Sequence, residues 1–329
     1  MSNAKQILSM LRSRADGDEE RFLAIALQIA AAEARQGHRT NAEELRSAVD
    51  AIRAQRGDSP GVPVAFAQPR GELSSVLDLR DPQIRLSNIV LSPAIGERLA
   101  KVVLQQEKRS WLREHNKAPV RRLLFAGPPG SGKTMSAEGL AGELRLPLFV
   151  VRLDSLITRY MGETAAKLRL VFDETLQKRG VYLFDEFDAV GGHRSASNDV
   201  AEMRRVLNSF LQFMEEPSTT DSVIVAATNH PELLDKALQR RFDEVLMFEL
   251  PSDEQVREVV KSNLKPLKFP RIAWKSVVKA AEGLSQSEIA RATEEAVKEA
   301  ILSERSNVST SDIVGQLEAR QSVKKIFQS

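Results

Sequence analysis

The sequence predicts an α/β fold: a five-stranded parallel sheet flanked by helices, closed by a small all-helical domain and preceded by an N-terminal helical module. Three observations carry this expectation. Between residues 84 and 250, short β-rich runs alternate with amphipathic segments, the pattern of a parallel sheet covered on both faces. After Pro251 the apolar residues recur only at helical spacing. A stretch rich in Gly and Pro, including Gly57, Pro60, Gly61, Pro63, Pro69 and Gly71, separates all of this from the first 56 residues and reads as a linker.

Taken in order, residues 1–56 read as three helices. Phe22, Ile25, Ala26 and Ile29 share one helical face in the second, Leu45, Val49 and Ile52 do so in the third, and Gly17, Gly37 and Thr40 punctuate them. The linker is set at 57–83, the α/β domain at 84–250 and the helical domain at 251–329. Strands are expected at 123–126, 148–153, 181–184, 223–227 and 245–250, with helices between them such as 167–178 and 200–214. The last domain shows helical periodicity over 256–264, 274–281, 289–302 and 313–317.

With 329 residues, 42% of them hydrophobic, the chain can fill sizeable cores. A formal net charge of +2, with both signs dispersed, gives no basic arm that argues for nucleic acid. The absence of cysteine excludes disulfides and cysteine-ligated metals. The longest apolar run, residues 22–34, is too short to span a bilayer and contains Gln28 and Glu33. The expectation is a cytoplasmic protein with no membrane span.

The most specific motif is Gly127-Pro128-Pro129-Gly130-Ser131-Gly132-Lys133-Thr134, directly after an apolar run. It fits the pattern G-x-x-x-x-G-K-[ST]. Its glycines let the backbone curl so that N–H groups face an anion, and the helix that follows adds the positive end of its dipole. Lys133 would reach the outer phosphates of a nucleoside triphosphate, and the Thr134 hydroxyl would hold Mg2+. The second motif is the apolar run Val181-Tyr182-Leu183-Phe184 ending in Asp185 and Glu186. Carboxylates at the carboxyl end of a parallel strand lie where α/β sheets bind ligands. Asp185 would hold the metal, and Glu186 would polarise the attacking water.

These motifs, in this order, resemble those of the AAA+ ATPases and, within them, the AAA clade. Asn229, at the end of Val223-Ile224-Val225-Ala226-Ala227-Thr228, stands where that family places a polar sensor of the γ-phosphate. Arg240 and Arg241, within Leu234-Asp235-Lys236-Ala237-Leu238-Gln239-Arg240-Arg241-Phe242-Asp243, resemble the arginine fingers, and their pairing is most similar to the microtubule-severing and ESCRT-disassembling branch. A planar, permanently charged guanidinium suits phosphate oxygens on which charge is building. In the family these arginines serve a neighbour's nucleotide, so the resemblance implies a homo-oligomeric ring, a hexamer, with ATP and Mg2+ as cofactors.

Arg159-Tyr160-Met161-Gly162-Glu163-Thr164 resembles the loop that lines the family's central pore, where Tyr160 and Met161 would grip a protein substrate. Gly191-Gly192-His193-Arg194 resembles the second pore loop, and no partner at metal-ligand spacing accompanies His193. Gly283-Leu284-Ser285-Gln286-Ser287-Glu288-Ile289 is similar to the lid segment that faces adenine and ribose, except that Gln286 replaces the usual glycine. Arg291 receives no role. The resemblance spans residues 84–302 and implies an ATPase that threads or remodels protein, working with an adaptor or protease partner, the N-terminal helices docking substrates or adaptors. Two alternatives stay open: a machine acting on nucleic acid, and an ATP-gated adaptor or switch.

Overall fold

The computed structural model describes residue 29 and residues 71–156, 161–187, 197–218, 220–233, 239–265 and 272–328. The chain divides into two compact units, Met1–Phe66 and Ala67–Ser329, and the sheet with its helices belongs to the second. The helices expected over residues 1–56 lie outside the described residues, as do Tyr160 and residues 191–196 and 234–238.

The second unit is built on six strands: β1 (Leu77–Arg80), β2 (Arg122–Ala126), β3 (Leu148–Val151), β4 (Val181–Phe184), β5 (Val223–Thr228) and β6 (Glu244–Met247), in the order β1-β3-β4-β5-β2-β6. The five expected strands form the parallel part. The sixth, β1, is an addition: residues read as linker pair antiparallel with β3, Leu77 opposite Val151 and Arg80 opposite Leu148. A one-turn helix, α1 (Leu73–Val76), leads into it and buries Val76. The strands at 148 and 245 also end earlier than expected, because Leu153 opens a short helix and the chain turns after Met247.

Helices cover both faces. On one side lie α2 (Pro93–Glu107), entered through the Ser92 hydroxyl cap and a proline at its first turn, and α4 (Lys133–Leu144); between them in sequence runs the short α3 (Arg109–Glu114). Leu99, Val102, Phe125, Leu140, Leu183 and Val225 pack together there. On the other side α5 (Leu153–Leu156), α6 (Met161–Gln177) and α7 (Ser197–Glu215) cover the opposite faces of the same strands. Phe172, Phe184, Phe187 and Phe210 form an aromatic cluster in that layer, with Phe184 edge-on to Phe210 at 5.0 Å. Alternation along each strand sends successive side chains to opposite layers, as in a sheet buried on both faces.

The chain ends in four helices, α8 (Asp253–Leu264), α9 (Trp274–Ala280), α10 (Gln286–Leu302) and α11 (Thr310–Gln328), around a core that includes Val260, Ile289, Ala296 and Leu317. Capping boxes Ser252/Gln255 and Ser285/Glu288 start α8 and α10. Among the described residues no helix is long and apolar enough to cross a membrane.

Candidate active site

Three neighbouring parallel strands, β4, β5 and β2, end at the same edge, with Phe184 beside Ala226 and Ala126 beside Thr228. That edge is where the motifs meet. From β2 the chain passes through Gly127, Gly130 and Gly132, all with φ between 73° and 150°, before α4 opens at Lys133. Lys133 is buried, and its Nζ donates to the carbonyls of Gly127 and Pro128 and to Asn229 Oδ1, each at 2.8 Å. The Thr134 hydroxyl donates to Asp185 Oδ2 at 2.7 Å. Glu186 is exposed on a turn where its φ is 51°, a left-handed conformation uncommon for glutamate. The turn is held by Phe187, fully buried, whose N–H donates to the Ala227 carbonyl at 2.8 Å. Burial of Phe187 thus presents Glu186 outward.

The groups fit a polyphosphate. Among the described residues, Ser131 Oγ is buried with no hydrogen-bond partner, although it sits within the loop whose task would be to bind oxygens. A Cβ at Gly130 would collide with the hydroxyls of Ser285 and Ser287, and the Ser287 N–H donates to the Gly130 carbonyl at 3.1 Å. The loop is therefore seated against the start of α10. Thr134 and Asp185 offer the hard oxygen atoms that Mg2+ prefers, in a set of two that leaves the remaining coordination to water and phosphate. Among the described residues no cluster of three His, Cys, Asp or Glu side chains could hold a metal by itself.

A cavity of about 770 Å3 adjoins Lys133, Thr134, Asp185, Glu186 and Asn229. Its far walls hold residues to which sequence reasoning assigned no role: Asn88, Ile89 and Val90 on one side, Val259 and Asn263 of α8 on another. Residues 84–89 reach this position because Gly139 and Gly142 leave α4 bare where Ile84 and Ile89 lie against it. Gln286, Ala290 and Arg291 of α10 complete the lid wall. A larger cavity, of about 940 Å3, lies on the other side of the contact between Gly130 and Ser287, but none of Lys133, Thr134, Asp185 or Asn229 lines it.

The two arginines are not brought to this cluster. Leu123 of β2 stands beside Glu244 of β6, so β6 begins at the edge where β2 begins, opposite the phosphate loop. Arg240 and Arg241 lie on the turn before β6, separated from it by Phe242 and Asp243; four or five residues of strand, about 15 Å at 3.3 Å per residue, separate that edge from the loop. Arg240 is exposed, and Arg241 Nε lies 3.3 Å from Glu215 Oε1. Asp243, just beyond, accepts hydrogen bonds from the backbone N–H groups of Arg121 and Arg122 and from the Arg122 side chain. Burial pushes the Asp243 carboxyl up, but those bonds outweigh it and hold the group below the ordinary aspartate range. Of the residues expected in the pore, Met161 opens α6 and Tyr160 lies outside the described residues.

Residues 123–250 match the family described as ATPase family associated with various cellular activities (AAA). An uncharacterized AAA family ATPase of Sinorhizobium fredii is 36% identical over 299 residues, which cover 90% of this chain and 89% of that one. A 26S proteasome regulatory subunit homologue of Methanothermobacter thermautotrophicus is 34% identical over 56% of this chain and 52% of its own length. The ATP-dependent zinc metalloprotease FtsH of Lancefieldella parvula is 36% identical over 59% of this chain. This chain matches about half of the archaeal relative and 31% of FtsH, but most of the Sinorhizobium protein.

Proposed function

Because the chain belongs to the AAA ATPase family, we propose that it hydrolyses ATP at the cluster around Lys133 and uses the energy to remodel a protein substrate in a ring of identical subunits. The observation that carries this reading is the meeting of three strand ends: Lys133 bonded to Asn229 and Thr134 bonded to Asp185, beside a cavity of nucleotide size.

Each residue then has a task. The loop from Gly127 to Thr134, with Pro128, Pro129, Gly130, Ser131 and Gly132, surrounds the phosphates, and Lys133 turns its ammonium from backbone carbonyls toward the outer ones. Thr134 and Asp185 would hold Mg2+, which would supply charge neutralisation on the phosphate oxygens. Glu186, exposed on its turn, accepts a proton from water, and Asn229 orients that water. Arg240 and Arg241 lie too far from their own loop to reach it, which supports action on a neighbour's nucleotide. A site completed only between subunits fits a closed ring, for which we propose six copies.

Relatives whose names refer to a proteasome and to a protease support protein as the substrate. In this reading Tyr160 and Met161 grip the polypeptide in the pore, residues 1–56 dock substrates or an adaptor, residues 57–72 link them to the ATPase sheet that β1 opens, and the protein works in the cytoplasm. The test is Glu186→Gln in ATP. It should trap a hexamer by light scattering together with captured polypeptide, while Tyr160→Ala should keep ATP turnover and lose substrate unfolding. A monomer that hydrolyses ATP at the wild-type rate with Arg240 and Arg241 both replaced by Ala would defeat the proposal. DNA-stimulated turnover in Tyr160→Ala would point to a nucleic-acid machine, and ATP-dependent partner binding without threading would point to a switch.

A further inference from the structure

The lid departs from the family pattern at Gln286, and the geometry points to a specific use for that side chain: a carboxamide that closes over the phosphate chain of the bound nucleotide beside Gly132. This inference rests on the nucleotide reading of the site. Gln286 is the first residue of α10, a helix of 17 residues, and it lines the same cavity as Lys133, Thr134 and Asp185. Its Oε1 is the nearest atom to the point where a Cβ would stand on Gly132, 3.6 Å away. Its carboxamide is half-buried and has no hydrogen-bond partner among the described residues. The polar groups next to it in sequence are engaged: Ser285 with Glu288, the Ser287 N–H with Gly130.

An amide without a partner beside an anion loop has both kinds of atom to offer, since its two ends exchange by rotation. Presented NH2 first, it donates to a phosphate oxygen. The start of α10 adds partial positive charge in the same direction through its macrodipole, although its Ser287 and Glu288 N–H groups are already bonded to the Gly130 carbonyl and the Ser285 hydroxyl. Gly132 belongs to the part of the loop that cradles the inner phosphates, which ADP and ATP share. Gln286 therefore ties lid position to phosphate occupancy for either nucleotide, and does not read the γ-phosphate.

Gln286→Glu is the sharp test, because it keeps size and shape while setting a negative charge against the phosphates. A carboxylate in the first turn of a helix favours folding, so the two effects have opposite sign. Titration of the full chain with N-methylanthraniloyl-ADP and with a non-hydrolysable ATP analogue should show Gln286→Glu weakened more than about tenfold for both ligands. Gln286→Ala should be weakened about fivefold to tenfold, the scale of one net hydrogen bond at a half-exposed site. The melting temperature of Gln286→Glu should be unchanged or raised, and AMP binding little affected. Lys133→Ala is the reference. If it loses the nucleotide while both Gln286 variants bind as wild type, this inference fails and the site reading stands. If Lys133→Ala also binds as wild type, the site reading itself fails. Loss confined to the ATP analogue, or loss that only follows a lowered melting temperature, overturns the role given to Gln286.

Discussion

The two edges of the parallel sheet are both crowded with charged side chains, yet they are organised in opposite ways. At the amino-terminal edge, Asp221 is buried and accepts from Arg113 at 2.7 Å with Arg109 at 4.0 Å, Arg121 donates to the Glu216 carbonyl, and Arg179 donates to Gln106. Among the described residues most polar groups there have partners within the chain, Arg179 Nε being one that does not. Burial, together with a neighbouring guanidinium in each case, lowers the affinity of Arg121 and Arg179 for their protons. At the carboxyl-terminal edge, Ser131 Oγ is buried without a partner among the described residues, and Glu186, exposed on a left-handed turn, lines a cavity of about 770 Å3. Charge density alone does not mark a reactive site. Unmet bonding capacity beside enclosed space does.

The contrast makes graded predictions. The largest effect should come from Glu186→Gln, which removes the proposed base and leaves the Phe187 anchor in place: phosphate release should fall by about a thousandfold, while nucleotide affinity and melting temperature stay near wild type. A matching loss of affinity would mean that Glu186 holds the ligand and does not activate water. Next, Asp221→Ala should cost about 1–2 kcal/mol in urea unfolding, because it removes the buried partner of Arg113 and Arg109 while both guanidinia stay partly solvated and keep their bonds to the Ser218 and Gln106 carbonyls, and it should leave nucleotide binding unchanged. Weaker binding in that variant at temperatures where it is folded would break the separation between the two edges.

Acid sharpens the same comparison. Asp243 is held below the ordinary aspartate range, so its contribution is complete above about pH 4 and is lost as pH falls through its lowered value. The urea midpoint should therefore fall more steeply below pH 4 in the wild type than in Asp243→Asn; parallel curves would show that the carboxylate is not a stabilising link between β2 and β6. The smallest effect belongs to Arg98→Ala, which deletes a surface ion pair with Glu244 and should change stability by less than about 1 kcal/mol. A larger loss would show that this edge depends on single exposed pairs.

Much of this was legible before any coordinates, and the legible part has a common cause. The run Val181 to Phe184 is buried at every position and is followed at once by two acids, so strand, edge and carboxylates were written in consecutive residues. The glycines of the phosphate loop and the serine caps of α8 and α10 are equally local signals. β1 escaped notice because four residues, Leu-Asp-Leu-Arg, follow a Gly/Pro-rich stretch and gain their strand character only by pairing with β3. Asn88, Val259 and Asn263 reach the cavity through packing of distant segments, which no spacing rule anticipates. The separation of Arg240 and Arg241 from their own loop likewise follows from the direction of β6, a property of the sheet and not of the motif.

The hydrogen bond from the Ser287 N–H to the Gly130 carbonyl is the backbone link in the seating of the phosphate loop against α10. That single amide proton can exchange with deuterated solvent only when helical cap and glycine loop part company. Its exchange rate is thus a clock for breathing of the nucleotide cleft, readable without any label and before a single phosphate bond is cleaved.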